Sequence, residues 1–157
     1  MLFETEDDLK RSSKGILKQT GRVIGTALLM LVGFSGFAAD DFAFIPAGVD
    51  VGMYRIGITE VSKAEWDSIY ERAIVGNVYQ FSNPGSGKDS DHPVQTVSWY
   101  DCVKWCNARS EIEGLSPFYF TPSGTVYRAG FVDFTNAYVN WSATGYRLPT
   151  EAEWEKA

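Results

Sequence analysis

The stretch that decides the fold is Gly145-Tyr146-Arg147-Leu148-Pro149-Thr150-Glu151-Ala152-Glu153-Trp154-Glu155. Thr150 and Glu153 stand at the spacing of a capping box. The hydroxyl accepts from the amide three residues on, and the carboxylate reaches back to the amide of the cap. Pro149 sits directly before the cap. Glu151, Glu153 and Glu155 crowd the first turn, where negative charge complements the helix dipole. Their reading is structural, not catalytic. Trp154 opens an apolar face, yet the sequence reaches Ala157 three residues later with no Gly, Asn or Pro stop. Helices under about 12 residues are marginal without tertiary support. The expectation is a domain that continues past Ala157.

Working outward, two earlier elements repeat the design. Ser98-Trp99-Tyr100-Asp101 is a cap of the same type, and Trp99, Cys102, Val103 and Cys106 follow at the spacing of one helical face. Gly114 is placed to end that helix. Ser62-Lys63-Ala64-Glu65 is a capping box ahead of Trp66, Ile69, Tyr70, Ala73 and Ile74, again on one face. Around these helices the pattern predicts short strands: Phe42 and Phe44 before Pro46, then Tyr54, Ile56 and Ile58, then Val94 to Val97. Phe118–Phe120 and Thr125–Tyr127 read as a hairpin, and residues 76–93 as a loop.

Composition agrees with a loop-rich domain held by large rings. The chain has 157 residues, 45% hydrophobic, with five Trp, eight Tyr, ten Phe and fifteen Gly. That size fits one average domain. A net charge of −6 with no basic block argues against nucleic-acid binding. A single His excludes a multi-His metal site within this chain.

Residues 1–38 read as an export signal or N-terminal anchor. Lys10, Arg11, Lys14, Lys18 and Arg22 precede an apolar run from Val23 to Ala38. That run is short for a membrane span, which needs about 20 residues, and suits the core of a secretory signal. Gly36 and Ala38 supply small residues for cleavage after Ala38. Glu4, Glu6, Asp7 and Asp8 make the leading segment unusually acidic, which an uncleaved anchor or a misplaced start codon would explain. The expected location is outside the cytoplasm, periplasmic or extracellular, with membrane attachment only through an uncleaved signal.

The remaining candidates for chemistry each have a plainer explanation beside them. Cys102 and Cys106 lie one helical turn apart, a poor geometry for a mutual disulfide. Core packing is the leading reading, ahead of a bond to something else and of catalysis or metal binding. His92 is a general base or a side chain that fixes a turn, and no Ser or Cys nucleophile is paired with it. Asp89 and Asp91 are calcium ligands or a solvated turn. Asn140-Trp141-Ser142 matches a glycosylation sequon, a weak pattern. No catalytic, cofactor-binding or metal residue is assigned.

A resemblance sharpens the reading. Residues 91–101, Asp-His-Pro-Val-Gln-Thr-Val-Ser-Trp-Tyr-Asp, look like the "HPV-x-x-VSW-x-D" element of the formylglycine-generating enzyme, or sulfatase-modifying factor, family. The segment 145–155 resembles that family's "RLPTEAEWE" signature. Phe44-Ile45-Pro46-Ala47-Gly48 is similar to its opening strand, and Thr59-Glu60-Val61-Ser62 to its "EVT/S" helix start. The resemblance implies an α+β, C-type-lectin-like, loop-rich fold over residues 39–157, the N-terminal half of the domain and truncated at its C-terminus. It implies oxidation of a cysteine in a C-x-P-x-R motif of a sulfatase polypeptide to formylglycine, with oxygen and a copper ion held by two cysteines, and structural calcium. The family's copper cysteines, calcium ligands and "RGGSW" and "GFR" elements fall downstream of "RLPTEAEWE". Cys102 and Cys106 do not match the catalytic pair. The family's "F-x-MG" stretch and the long segment before its "EVT" helix are shortened here, around Val49–Tyr54, which puts the N-terminal sheet in question. The expected function is therefore an exported domain whose full-length form is the oxidase, with this chain inactive alone. The alternatives are a non-catalytic binding module on the same scaffold, a thiol-histidine sulfoxide synthase, which the single His and the export signal disfavour, and a nonfunctional fragment.

Overall fold

The computed structural model describes residues 31–32, 42–48 and 52–157. The expected export segment lies outside the described residues except for Leu31 and Val32, and so do residues 49–51 of the shortened stretch. The elements in chain order are β1 (Leu31–Val32), β2 (Phe42–Ile45), β3 (Tyr54–Gly57), α1 (Lys63–Ala73), α2 (Trp99–Ile112), β4 (Tyr146–Arg147) and α3 (Glu151–Lys156). One-turn 3-10 segments lie at Val75–Asn77 and Asn136–Tyr138. The fold is mixed helix and strand with long irregular connections. No helix among the described residues is long and apolar enough to cross a membrane.

The sheet runs β2-β3-β1-β4 with every neighbour antiparallel. Its spine is the pairing of β2 with β3, from Phe42 opposite Gly57 to Ile45 opposite Tyr54. Tyr54 and Ile56 are buried beneath Ala43 and Ile45, while Phe42 packs on the main core from the other face. Phe44 does not follow Phe42 inward and remains half exposed.

The core lies between α1 and α2. Trp66 of α1 and Trp105 of α2 are both fully buried and stack with ring centroids 5.5 Å apart and planes 5° off parallel. Trp105 Nε1 donates to the Trp66 carbonyl at 3.0 Å, and Trp66 Nε1 donates to the Pro84 carbonyl at 2.9 Å. Each indole thus buries its rings without stranding its N–H, and such a ring pair adds about 0.5–1.5 kcal/mol beyond area burial.

Three sequence expectations need correction. The one-sided face expected for α2 is too narrow: Asp101 through Ala108 and Ser110 are all buried, because α1, the loops of 79–82 and 118–127, and β4 surround the helix. Its C-terminus ends where Gly114 takes φ +74°. The hairpin of 118–127 is reduced to single bridges, Phe120 to Val126 and Tyr119 to Val139. Val94–Val97 is likewise no strand, only bridges from Pro93 to Ser62 and from Gln95 to Ser86. At 94–95 the amides go to the separate carbonyls of Val61 and Ser86, and around 118–127 a side chain takes backbone groups that a longer ladder would use. Asn107 donates to the Tyr119 and Tyr127 carbonyls and accepts from the Tyr119 amide.

Candidate functional site

The segment 145–156 forms a locked turn. Thr150 Oγ1 accepts from the Glu153 amide, and Glu153 Oε2 accepts from the Thr150 amide at 2.8 Å, so the expected capping box is complete. Arg147 then engages Glu153 with both guanidinium nitrogens, at 2.7 and 2.6 Å. A bidentate pair of this kind is directional as well as strong. The Arg147 guanidinium also lies 5.5 Å from the Phe118 ring and 5.1 Å from the Trp141 ring. The turn is bolted to the rest at both ends. Tyr54 of β3 donates its hydroxyl to the Glu153 carbonyl. Tyr146 donates its hydroxyl to Glu113, the C-cap of α2, at 2.6 Å, and its amide donates to Ser110 Oγ at 2.8 Å. The buried residue of α3 is Glu153, and Trp154 is 63% exposed. The apolar face expected at Trp154 is therefore uncovered among the described residues, because the helix docks through its capping carboxylate.

Burial pushes the Glu153 carboxyl up, but the Arg147 hydrogen bonds and charge and the Thr150 amide and hydroxyl outweigh it and hold it below its ordinary value. Glu111 follows the same pattern, with burial opposed by Arg128 and the Tyr79 hydroxyl. A carboxyl lowered on folding stabilises the native state above its unfolded pKa, and that contribution is lost as pH falls through the folded pKa. Stability will therefore fall with pH in the acid range below about 4.3, the ordinary Glu value. Urea unfolding of Glu153→Gln across that range checks this, since the variant must show a shallower dependence than the parent.

The second cap is anchored from within. Asp101 accepts from the Ser98 amide and hydroxyl, completing the expected box, and also from the Ser82 amide at 2.7 Å. Lys104 lies 3.2 Å from the same carboxylate, and both side chains are about fully buried. Its ammonium donates to the Gln80 carbonyl at 2.6 Å and faces the Phe81 ring at 5.6 Å. Sequence reasoning saw Asp101 as a cap but missed Lys104. The i, i+3 spacing was visible, but nothing in it marks the lysine as inward-facing. The first cap departs from expectation. Ser62 Oγ accepts from the Glu65 amide, but the Glu65 carboxylate turns to Arg109 of α2. A guanidinium is the stronger partner, and it ties α1 to α2.

The thiols are sealed. Cys102 and Cys106 are unbonded and buried, with Cys106 wholly inaccessible. Burial, then Cys106 and Asp101, push the Cys102 thiol well above its usual range, and burial pushes Cys106 up to about 12. The thiolate is the metal ligand and the nucleophile. This pair does not fit the copper site that the resemblance implies. Native protein is expected to leave both thiols unmodified by a thiol-specific dye over minutes, and unfolding in urea without reductant to release two. Fast labelling of the native chain would contradict that burial.

His92 sits in a turn held by its backbone rather than its ring, with its amide donating to the Asp89 carbonyl at 3.2 Å. Its carbonyl accepts from the Lys63 amide at the start of α1, and its ring is 3.2 Å from Asp91. Asp89 and Asp91 are mostly exposed. No group of three or more His, Cys, Asp or Glu is placed to hold a metal among the described residues.

A family model for the sulfatase-modifying factor enzyme 1-like domain matches residues 18–157. A chaperone protein LppX of Paenibacillus barcinonensis is 33% identical over 133 residues, covering 82% of this chain and 44% of LppX. Hercynine oxygenases of Mycolicibacterium thermoresistibile and Mycolicibacterium smegmatis are 31% and 30% identical over 123 residues, covering 69% of this chain and 23% and 24% of theirs. The crystal structure of CarF aligns with a TM-score of 0.59 at 27% identity, over 83% of this chain and 55% of CarF. The chain spans less than half the length of the curated relatives it matches.

Proposed function

The chain belongs to the sulfatase-modifying factor enzyme 1-like family, and from that premise we propose that it is the scaffold half of an exported thiol-oxidising domain. In this reading the full-length form converts a cysteine of a sulfatase polypeptide to formylglycine, on a C-type-lectin-like framework. The observation that carries it is the locked turn of Arg147, Thr150 and Glu153, whose charged groups are all spent on holding β4 to α3. The groups most able to do chemistry are likewise engaged. Asp101 and Lys104 neutralise each other inside α2, and both thiols are buried and protonated. Copper and oxygen would supply the oxidising power when bound, through residues other than these. What this chain contributes is position: Tyr54 and Tyr146 fix the turn from β3 and α2.

A second reading is favoured by the LppX match, which spans most of this chain and whose name is that of a chaperone. Here the same framework binds a polypeptide without oxidising it. One experiment separates the two. A C-x-P-x-R peptide is incubated with copper and oxygen and either this chain or a full-length form, and the cysteine is followed by mass spectrometry. The oxidase reading expects an aldehyde with the full-length form and none with this chain. Peptide retained but unmodified by the full-length form would overturn it in favour of binding. Aldehyde formed by this chain would overturn the scaffold assignment.

A further inference from the structure

We propose that Leu31–Val32, within the expected export segment, is a structural strand of the domain and joins β4 to β3 in the sheet. This goes beyond the oxidase reading and does not depend on it. Leu31 stands opposite Ile56 on one side and Arg147 on the other, and Val32 stands opposite Arg55 and Tyr146. β1 is therefore an interior strand, and β3 and β4 have no direct place beside each other in the sheet. Both flanks are buried there, at Ile56 with 3% exposure and Tyr146 with none. Backbone groups left unpaired in such surroundings are strongly disfavoured. The match to the family begins at residue 18, so the strand falls inside the matched length. The two residues also belong to the segment whose expected cleavage follows Ala38. Cleavage there would remove the strand from between β3 and β4 and leave the Tyr54 bond to the Glu153 carbonyl as a side-chain tie between β3 and the locked turn.

Hydrogen exchange read by mass spectrometry on the full chain tests this. Protection at residues 31–32 comparable to that at 54–57 is expected, and free exchange at 31–32 would overturn the proposal. Leu31→Pro and Val32→Pro each remove one ladder donor from an interior strand. Each is expected to lower Tm by on the order of 5 °C, whereas Leu31→Val is expected to leave it unchanged. Proline variants that melt like the parent would overturn the strand. Should those variants fail to fold, the exchange measurement on the unmodified chain still decides. N-terminal sequencing of exported protein keeps the processing question separate: a folded chain beginning after Ala38, with residues 146–147 still protected, also overturns it.

Discussion

Gly145→Val is expected to destabilise the domain by about 3 kcal/mol, a fall in Tm of roughly 10 °C. A Cβ at this position would lie 2.6 Å from both Ser110 Cβ and the Ser116 carbonyl oxygen, where no flexible side-chain end can give way. Ser110 is itself committed. Its hydroxyl donates to the Cys106 carbonyl at 2.7 Å and accepts from the Tyr146 amide. The Gly145 amide donates to the Ser116 carbonyl at 3.0 Å. Any side chain at 145 therefore pushes β4 off α2 and strands buried polar groups, a second penalty on top of the clash. Gly114→Ala is the contrast. Gly114 has φ +74° and open space around its absent Cβ, so only the backbone preference is lost, about 1 kcal/mol. Urea unfolding of both variants checks the difference. Equal losses would mean that the approach of β4 to α2 is not what requires glycine at 145.

Asp101→Ala is expected to cost about 3–5 kcal/mol, because it leaves Lys104 charged in the core without its partner. It also removes the acceptor of the Ser82 amide and of both Ser98 donors, so loop 80–82 and the start of α2 lose their common tie. Adding Lys104→Met to Asp101→Ala should recover part of the loss, since a flexible apolar chain suits a site beside Phe81 and Tyr127. The double-mutant cycle therefore has a strong coupling term. If Asp101→Ala lost under about 1 kcal/mol, or the double variant were as unstable as the sum of the singles, the pair would not be the knot described above.

Local patterns were legible where the physics is local. Ser62, Ser98 and Thr150 all cap helices as their spacing implied, because a cap needs only a hydroxyl and an amide three residues apart. Gly114 ends α2 for a reason equally contained in its own backbone. The resemblance carried by residues 91–101 and 145–155 reached the family for the same reason, since those stretches are continuous. What stayed hidden is what depends on distant partners. The choice of Arg109 over the capping role by Glu65 and the inward turn of Lys104 toward the Gln80 carbonyl each require elements far apart in the chain to meet. The strands expected at 94–97 and 118–127 failed likewise, since alternation marks which residues go inward but not whether a neighbouring strand is there to extend the ladder.

By itself, then, the amino-acid order determined the helix starts, the stop of α2 and the family, because capping, turn and periodicity act within a few residues. Only the tertiary structure decided which charges pair, which thiols are sealed and why residue 145 must be glycine. Those outcomes rest on desolvation and close approach, and neither exists until separate segments are brought together in space.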